Sequence, residues 1–218
     1  MAKEPIKITQ EQVVPVYESK FIRVFDLQYA EGRHYYNATR RVKENIVATK
    51  TDKEFKEMLA DAVTCVVILV DKTTKEHKLL MSREYRYPAG RFLLSPPAGI
   101  IDEKDKQETD SLFIAAKREI YEETGIEFKE QDEIFVVNPC LFSSPGMTDE
   151  SNAIVCAVIN DFEESMLSQS NAEETELFDG FVLLSKDDAK ELLQNGKDKE
   201  DIFYSVYAWI AMMYFVTL

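Results

Sequence analysis

The chain of 218 residues carries 40 acidic and 26 basic side chains, a net charge of −14 at pH 7. That balance argues against a binder of the nucleic-acid backbone, whose affinity comes from Lys and Arg, but not against small anionic substrates held through a bound cation. With 45% hydrophobic and 30% charged residues, the composition is that of a globular chain long enough for one good core and a smaller appendage.

The opening "MAKEPIKITQEQ" is polar and has no signal-peptide pattern. Residues 13–28 and 34–42 are rich in β-branched and aromatic side chains, and "AEGR" between them predicts a hairpin. A polar, lysine-rich stretch at 50–61 predicts a short helix or linker. The apolar run 62–70, "AVTCVVILV", predicts a buried strand, with "HKLLMSREYRY" as its partner across a turn. "LLSPPAGIID" is a strand end followed by a loop rich in Pro, Gly and acids. The pattern of "SLFIAAKREIYEETG" is helical, with Leu112, Ala115, Ala116 and Ile120 near helical spacing and Gly125 as the stop.

Strands follow at 134–142 and 152–159, then an acidic loop at 161–176 and a strand in "LFDGFVLL". Ser185 is placed to cap a helix over 186–195 that ends at Asn195-Gly196. The last seventeen residues, "IFYSVYAWIAMMYFVTL", are uncharged. They stand at the short limit for a bilayer span and lack a basic flank, so they read as a buried terminal helix. Cys65, Cys140 and Cys156 lie singly in apolar runs, as buried reduced thiols do. These features predict a cytoplasmic α+β protein, an α/β/α arrangement around a mixed sheet. An N-terminal β-hairpin subdomain over 1–55 precedes the main domain over 56–218.

Chemistry concentrates in "REIYEETGI", residues 118–126. On a helix Glu119, Glu122 and Glu123 fall on one side, and like charges at that spacing repel. Such a cluster is most simply a solvated acidic face. Two features favour a different reading: the Pro-Pro-Ala-Gly turn at 96–99 ahead of the helix, and the small apolar residues on its other side. Carboxylates joined by a backbone carbonyl and water form the ligand set of a hard cation such as Mg²⁺ or Mn²⁺.

The same residues resemble the Nudix box, G-x5-E-x7-R-E-U-x-E-E-x-G-U, where U is a bulky aliphatic. Arg118, Glu119, Ile120, Glu122, Glu123, Gly125 and Ile126 match its second half. The first half departs, with eighteen residues between Gly99 and Arg118 where the pattern has thirteen. A five-residue insertion is expected, with Asp110 or Glu108 standing in for the first Glu. "YRYPAGRFLLSPPAGIID", "SSPGMTDES" and "AEETELFDGFVLL" are similar to the ADP-ribose pyrophosphatase branch of that family.

The resemblance implies Mg²⁺-dependent hydrolysis of the pyrophosphate of a nucleoside diphosphate sugar, best matched by ADP-ribose. UDP-sugars, dinucleotides or a non-catalytic sensor are the alternatives, and the intact glutamates favour an enzyme. It further implies metal ligation by Glu119, Glu122, Glu123, the Ala98 carbonyl and Glu176. Arg118 orients the carboxylates. Among Glu173, Glu174 and Glu176, the loop match favours Glu174 as the base. Arg86 contacts phosphate, and Glu150 holds substrate or water. Phe21, Tyr36 and Arg41 meet the nucleotide base, often from the partner in a homodimer.

Overall fold

The computed structural model describes residues 6–173 and 175–218. The fold is α+β, and the chain divides into two compact units: residues up to 60 with 140–152, and residues 61–139 with 153–218.

In the first unit, β1 (Val13–Glu18), β2 (Arg23–Ala30) and β3 (Arg33–Thr39) form an antiparallel sheet in chain order. The predicted hairpin is therefore a three-stranded meander. Residues 13–28 are broken in the middle because Ser19 builds a turn: its Oγ accepts the N–H groups of Phe21 and Ile22 and donates to the Ile22 carbonyl. Val13, Phe25, Leu27 and Ile46 make this unit's core. The short helix α1 (Asp52–Lys56) lies within the predicted 50–61 stretch and is capped by Thr51.

The second unit is built on a mixed seven-stranded sheet. Its main path runs β10 (Phe178–Leu184), β5 (His77–Arg86), β4 (Ala62–Asp71), β9 (Ser151–Phe162) and β8 (Glu133–Phe142). β6 (Arg91–Ser95) pairs with β5, and β7 (Ala98–Ile100) pairs with β4. Val63 and residues 65–70 of β4 are buried. A strand between two neighbours and covered on both faces reads as an unbroken apolar run, as this one does.

The helix α2 (Ser111–Thr124) packs on β4 and β7. The helices α3 (Lys186–Asn195) and α4 (Val206–Thr217) pack on each other and on the sheet, completing an α/β/α sandwich. Ser185 caps α3 as expected. In α4, Ala208, Ala211, Met212 and Phe215 are buried, one helical stripe at the spacing of a core-facing surface. Only twelve residues of the apolar C-terminal run are helical, and among the described residues no helix is long and apolar enough to cross a membrane.

Candidate active site

The helix α2 ends at Gly125, whose φ of 75° is the left-handed conformation that a C-terminal stop requires. Its inward face is small where it meets the sheet: Ala115, Ala116 and Ile120 are fully buried, and the Cys65 thiol of β4 reaches the Ala116 carbonyl. That close seat brings the next turn of the helix over β7. Glu119 and Glu123 are buried there, 6% and 3% exposed, while Glu122 is half-buried. The acidic cluster is not a solvated face.

Strand β7 forms the floor. Its ladder with β4 pairs Ala98 with Thr64 and Gly99 with Val63, and the Pro97 carbonyl accepts the Cys65 N–H. The Ala98 N–H therefore points away from β4 and donates to Glu123 Oε1 at 3.1 Å. The pleat turns the Ala98 carbonyl to that same side. Gly99 lies directly beneath Glu119, whose carboxyl carbon would stand 1.9 Å from a Cβ at that position. Only glycine permits this approach.

Arg118 spans the cluster. Its guanidinium lies 2.8 Å from Glu119, donates to Glu122 at 3.2 Å and to the Ile100 carbonyl at 2.9 Å, and stands 3.6 Å from Asp105. Asp105 is 4% exposed. It lies six residues after Gly99, where the box places its first glutamate. Neither Asp110 nor Glu108 takes that place: both are exposed, and the Asp110 side chain makes no cap. The insertion thus follows Asp105 instead of preceding the stand-in. Spacing measured forward from Gly99 would have found it.

Burial is the main force on these acids. It pushes Glu119 up to about 7 against the pull of Arg118, with Glu122 and Glu176 adding repulsion. It also pushes Glu123 well above the carboxylate range, against the Ala98 N–H and aided by Glu84, Glu176 and Glu119. Glu84, at 8% exposed, is raised chiefly by burial, while its ion pair with Arg86 lowers it. Nothing in the sequence reading singled out Glu84. Period-two alternation along β5 places it on the same face as Arg86, and that was the available signal. Glu176 is also raised by burial, and its charge acts on Glu84, Glu119, Glu122, Glu123 and Arg86.

The second unit therefore gathers Glu84, Arg86, Ala98, Arg118, Glu119, Glu122, Glu123 and Glu176. Glu174 lies outside the described residues. Phe21, Tyr36, Arg41 and Glu150 belong to the first unit. Phe21 is 70% exposed in the Ser19 turn, and Tyr36 is exposed on β3. Arg41 donates to Ser151 Oγ, and Glu150 pairs with Arg40 at 3.1 Å.

Among the described residues, no three acidic, His or Cys side chains stand in metal-holding geometry. The Glu119, Glu122 and Glu123 oxygens are instead turned to Arg118 and to the Ala98 N–H. The donor chemistry still fits a hard dication. Carboxylates that resist ionising together lie over a glycine-floored cradle beside a carbonyl that leaves its ladder, and a bound dication removes the cost of their shared charge.

The NUDIX domain profile matches residues 58–206. The chain belongs to the Nudix family. It is 30% identical over 101 residues to the ADP-sugar pyrophosphatase of Mus musculus, covering 46% of this chain and 42% of that protein. It is 29% identical over 122 residues to the ADP-ribose pyrophosphatase of Saccharomyces cerevisiae, covering 56% and 49%. The chain thus spans less than half the length of these curated relatives. A solved structure described as an ADP compounds hydrolase shares the fold, with a TM-score of 0.57 at 18% identity over 99% of this chain and 97% of that one.

Proposed function

We propose that the protein is a Nudix hydrolase that cleaves the pyrophosphate of a nucleoside diphosphate sugar, with ADP-ribose, giving AMP and ribose 5-phosphate, as its substrate. The observation that carries this reading is the seating of Glu119 and Glu123 against Gly99 and Ala98, buried and crowded where a solvated face would be open. The two relatives named for ADP-sugar and ADP-ribose support the substrate class.

Glu119, Glu122, Glu123, the Ala98 carbonyl and Glu176 are the residues that would hold Mg²⁺, or Mn²⁺. When bound, the ion neutralises pyrophosphate oxygens and polarises the phosphorus. Arg118 orients the carboxylates by charge-assisted hydrogen bonds. Arg86, held by Glu84, presents a guanidinium to a phosphate. Glu174 takes the proton of the attacking water as its oxygen bonds to phosphorus and the P–O–P bridge breaks. Phe21, Tyr36, Arg41 and Glu150 are assigned to substrate contact. The subdomain of residues 1–55 is assigned to a homodimer, and the compartment is the cytoplasm, where the three free cysteines stay reduced.

A panel of ADP-ribose, UDP-glucose and dinucleoside diphosphates with Mg²⁺ tests this reading. AMP released fastest from ADP-ribose is the expected result, and no diphosphate cleaved overturns it. Glu174→Gln is expected to lower kcat far more than metal affinity. An unchanged kcat would give the base role to another residue.

A further inference from the structure

We propose that Arg91 is a further substrate-binding residue, which with Arg86 forms a two-guanidinium clamp that selects two adjacent phosphoryl groups over one. The hairpin of β5 and β6 carries the clamp. Its register sets Arg91 directly opposite Arg86, Phe92 opposite Tyr85 and Leu93 opposite Glu84. Directly opposed residues share one face of a sheet, so alternation along each strand puts Glu84, Arg86, Arg91 and Leu93 together. Side chains bear out both faces. Glu84 pairs with Arg86 on this one, while the Tyr85 and Phe92 rings meet edge to face at 5.3 Å on the other.

This is the face of the acidic site, where the Glu84 charge acts on Glu123 and the Arg86 charge on Glu176. Glu176 comes in along the other edge of β5: Phe178 stands opposite Glu84, and the Leu177 carbonyl accepts the Tyr85 N–H at 2.8 Å. Arg86 thus has the Glu176 segment on one side and Arg91 on the other. Like charges directly opposite each other destabilise a strand pair. Glu84 compensates Arg86, but Arg91 is exposed and among the described residues makes no ion pair. Arg83, on the opposite face, is by contrast ringed by Asp179, Asp198 and Glu200. In a chain with 40 acidic side chains to 26 basic ones, two opposed cations beside an acidic site are complementary to an anion on a ligand.

Opposed Cα atoms in an antiparallel ladder stand about 4.5–5.5 Å apart. Two guanidinium forks rooted that closely engage neighbouring phosphoryl groups, one each, by charge-assisted hydrogen bonds. A tight turn fixes their spacing before any ligand arrives. The Arg86 carbonyl accepts the Ala89 and Gly90 N–H groups, both at 2.9 Å, and Gly90 takes the left-handed φ of 65° that closes the turn. A monophosphate occupies one fork and leaves the other unmatched. The clamp therefore separates a diphosphate substrate from the monophosphate product of its cleavage. The choice of a diphosphate rests on the function proposed above, whereas the pairing of the two arginines rests on the register of β5 with β6.

Calorimetric titration of the intact chain, in Mg²⁺, with α,β-methylene-ADP and with AMP tests the clamp without turnover. The two ligands share one adenosine, so contacts to base and ribose cancel in the comparison. Arg91→Gln is expected to weaken the methylene analogue by about tenfold or more, the scale of a lost charge-assisted hydrogen bond, and AMP by less than about twofold. Arg91→Lys keeps the charge without the fork and is expected to lose about threefold on the analogue alone. Lys190→Gln, the same change of charge on α3, is expected to alter neither ligand. Melting curves establish that each variant is folded, and Arg91→Lys decides the matter should Arg91→Gln fail to fold. Equal weakening of both ligands by the Arg91 variants, or no weakening of the analogue, overturns the clamp. Binding of the analogue that depends on Arg91 in a protein that cleaves no diphosphate keeps the clamp and defeats the hydrolase. Cleavage of ADP-ribose with a KM that Arg91→Gln leaves unchanged defeats the clamp and spares the hydrolase.

Discussion

Gly99 and Glu119 are in such close contact that a Cβ on Gly99 would stand 1.9 Å from the Glu119 carboxyl carbon. The strand backbone therefore sets the position of a carboxylate twenty positions further along the sequence. Gly99→Ala is expected to push that carboxylate off its seat by an ångström or more. Misplacement on that scale costs on the order of a hundredfold in rate. Steady-state kinetics of Gly99→Ala beside wild type checks this, and a loss of less than about threefold would show that Glu119 is free to relocate.

Asp105 and Asp110 separate the two placements of the loop insertion. Asp105 is buried 3.6 Å from Arg118, and its Oδ2 has no hydrogen-bond partner. Asp105→Asn leaves part of the Arg118 charge uncompensated. A loss of about 2 kcal/mol follows, below the range of about 3–5 for a fully buried pair because Arg118 is partly open. In a chain of this size that lowers the melting temperature by about 4–8 °C. Asp110→Asn, on an exposed side chain, is expected to stay within about 0.5 kcal/mol of wild type. Thermal melts of both variants decide between them.

A pH effect arises at the start of α3. Lys199 donates to Asp188 Oδ1 at 2.7 Å and Ser185 donates to Oδ2, which together hold the carboxyl down at about 2. The folded value lies below the unfolded one of 3.8. Its stabilisation is therefore complete above the unfolded value and lost as pH falls through the folded one. Asp188→Asn is expected to lower the melting temperature by about 2–4 °C at pH 7, from roughly 1 kcal/mol of capping. The gap to wild type should close as the pH approaches 2. A gap independent of pH would assign the effect to packing.

Much of the fold was legible because its signals are local. Gly125 and Gly196 end α2 and α3 where the sequence placed their stops, and Ser185 caps α3. The unbroken apolar run of β4 betrayed its central place. The division of β1 from β2 was hidden because Ser19 makes that turn with its side chain, and neither glycine nor proline marks it. Asp105 was missed because spacing was counted back from Arg118 across the insertion. Glu84 was missed because one acid on a strand carries no motif, and its meaning comes from the helix packed above it.

The central claim is that Glu119 and Glu123 grip a divalent ion that in turn grips a diphosphate. Calorimetric titration of Mg²⁺ into the protein with a non-hydrolysable ADP-ribose analogue present tests it most directly. Saturable uptake by wild type, weakened at least tenfold in a folded Glu123→Gln variant, is the result this account predicts. No uptake by wild type, or uptake that Glu123→Gln leaves unchanged, would contradict it.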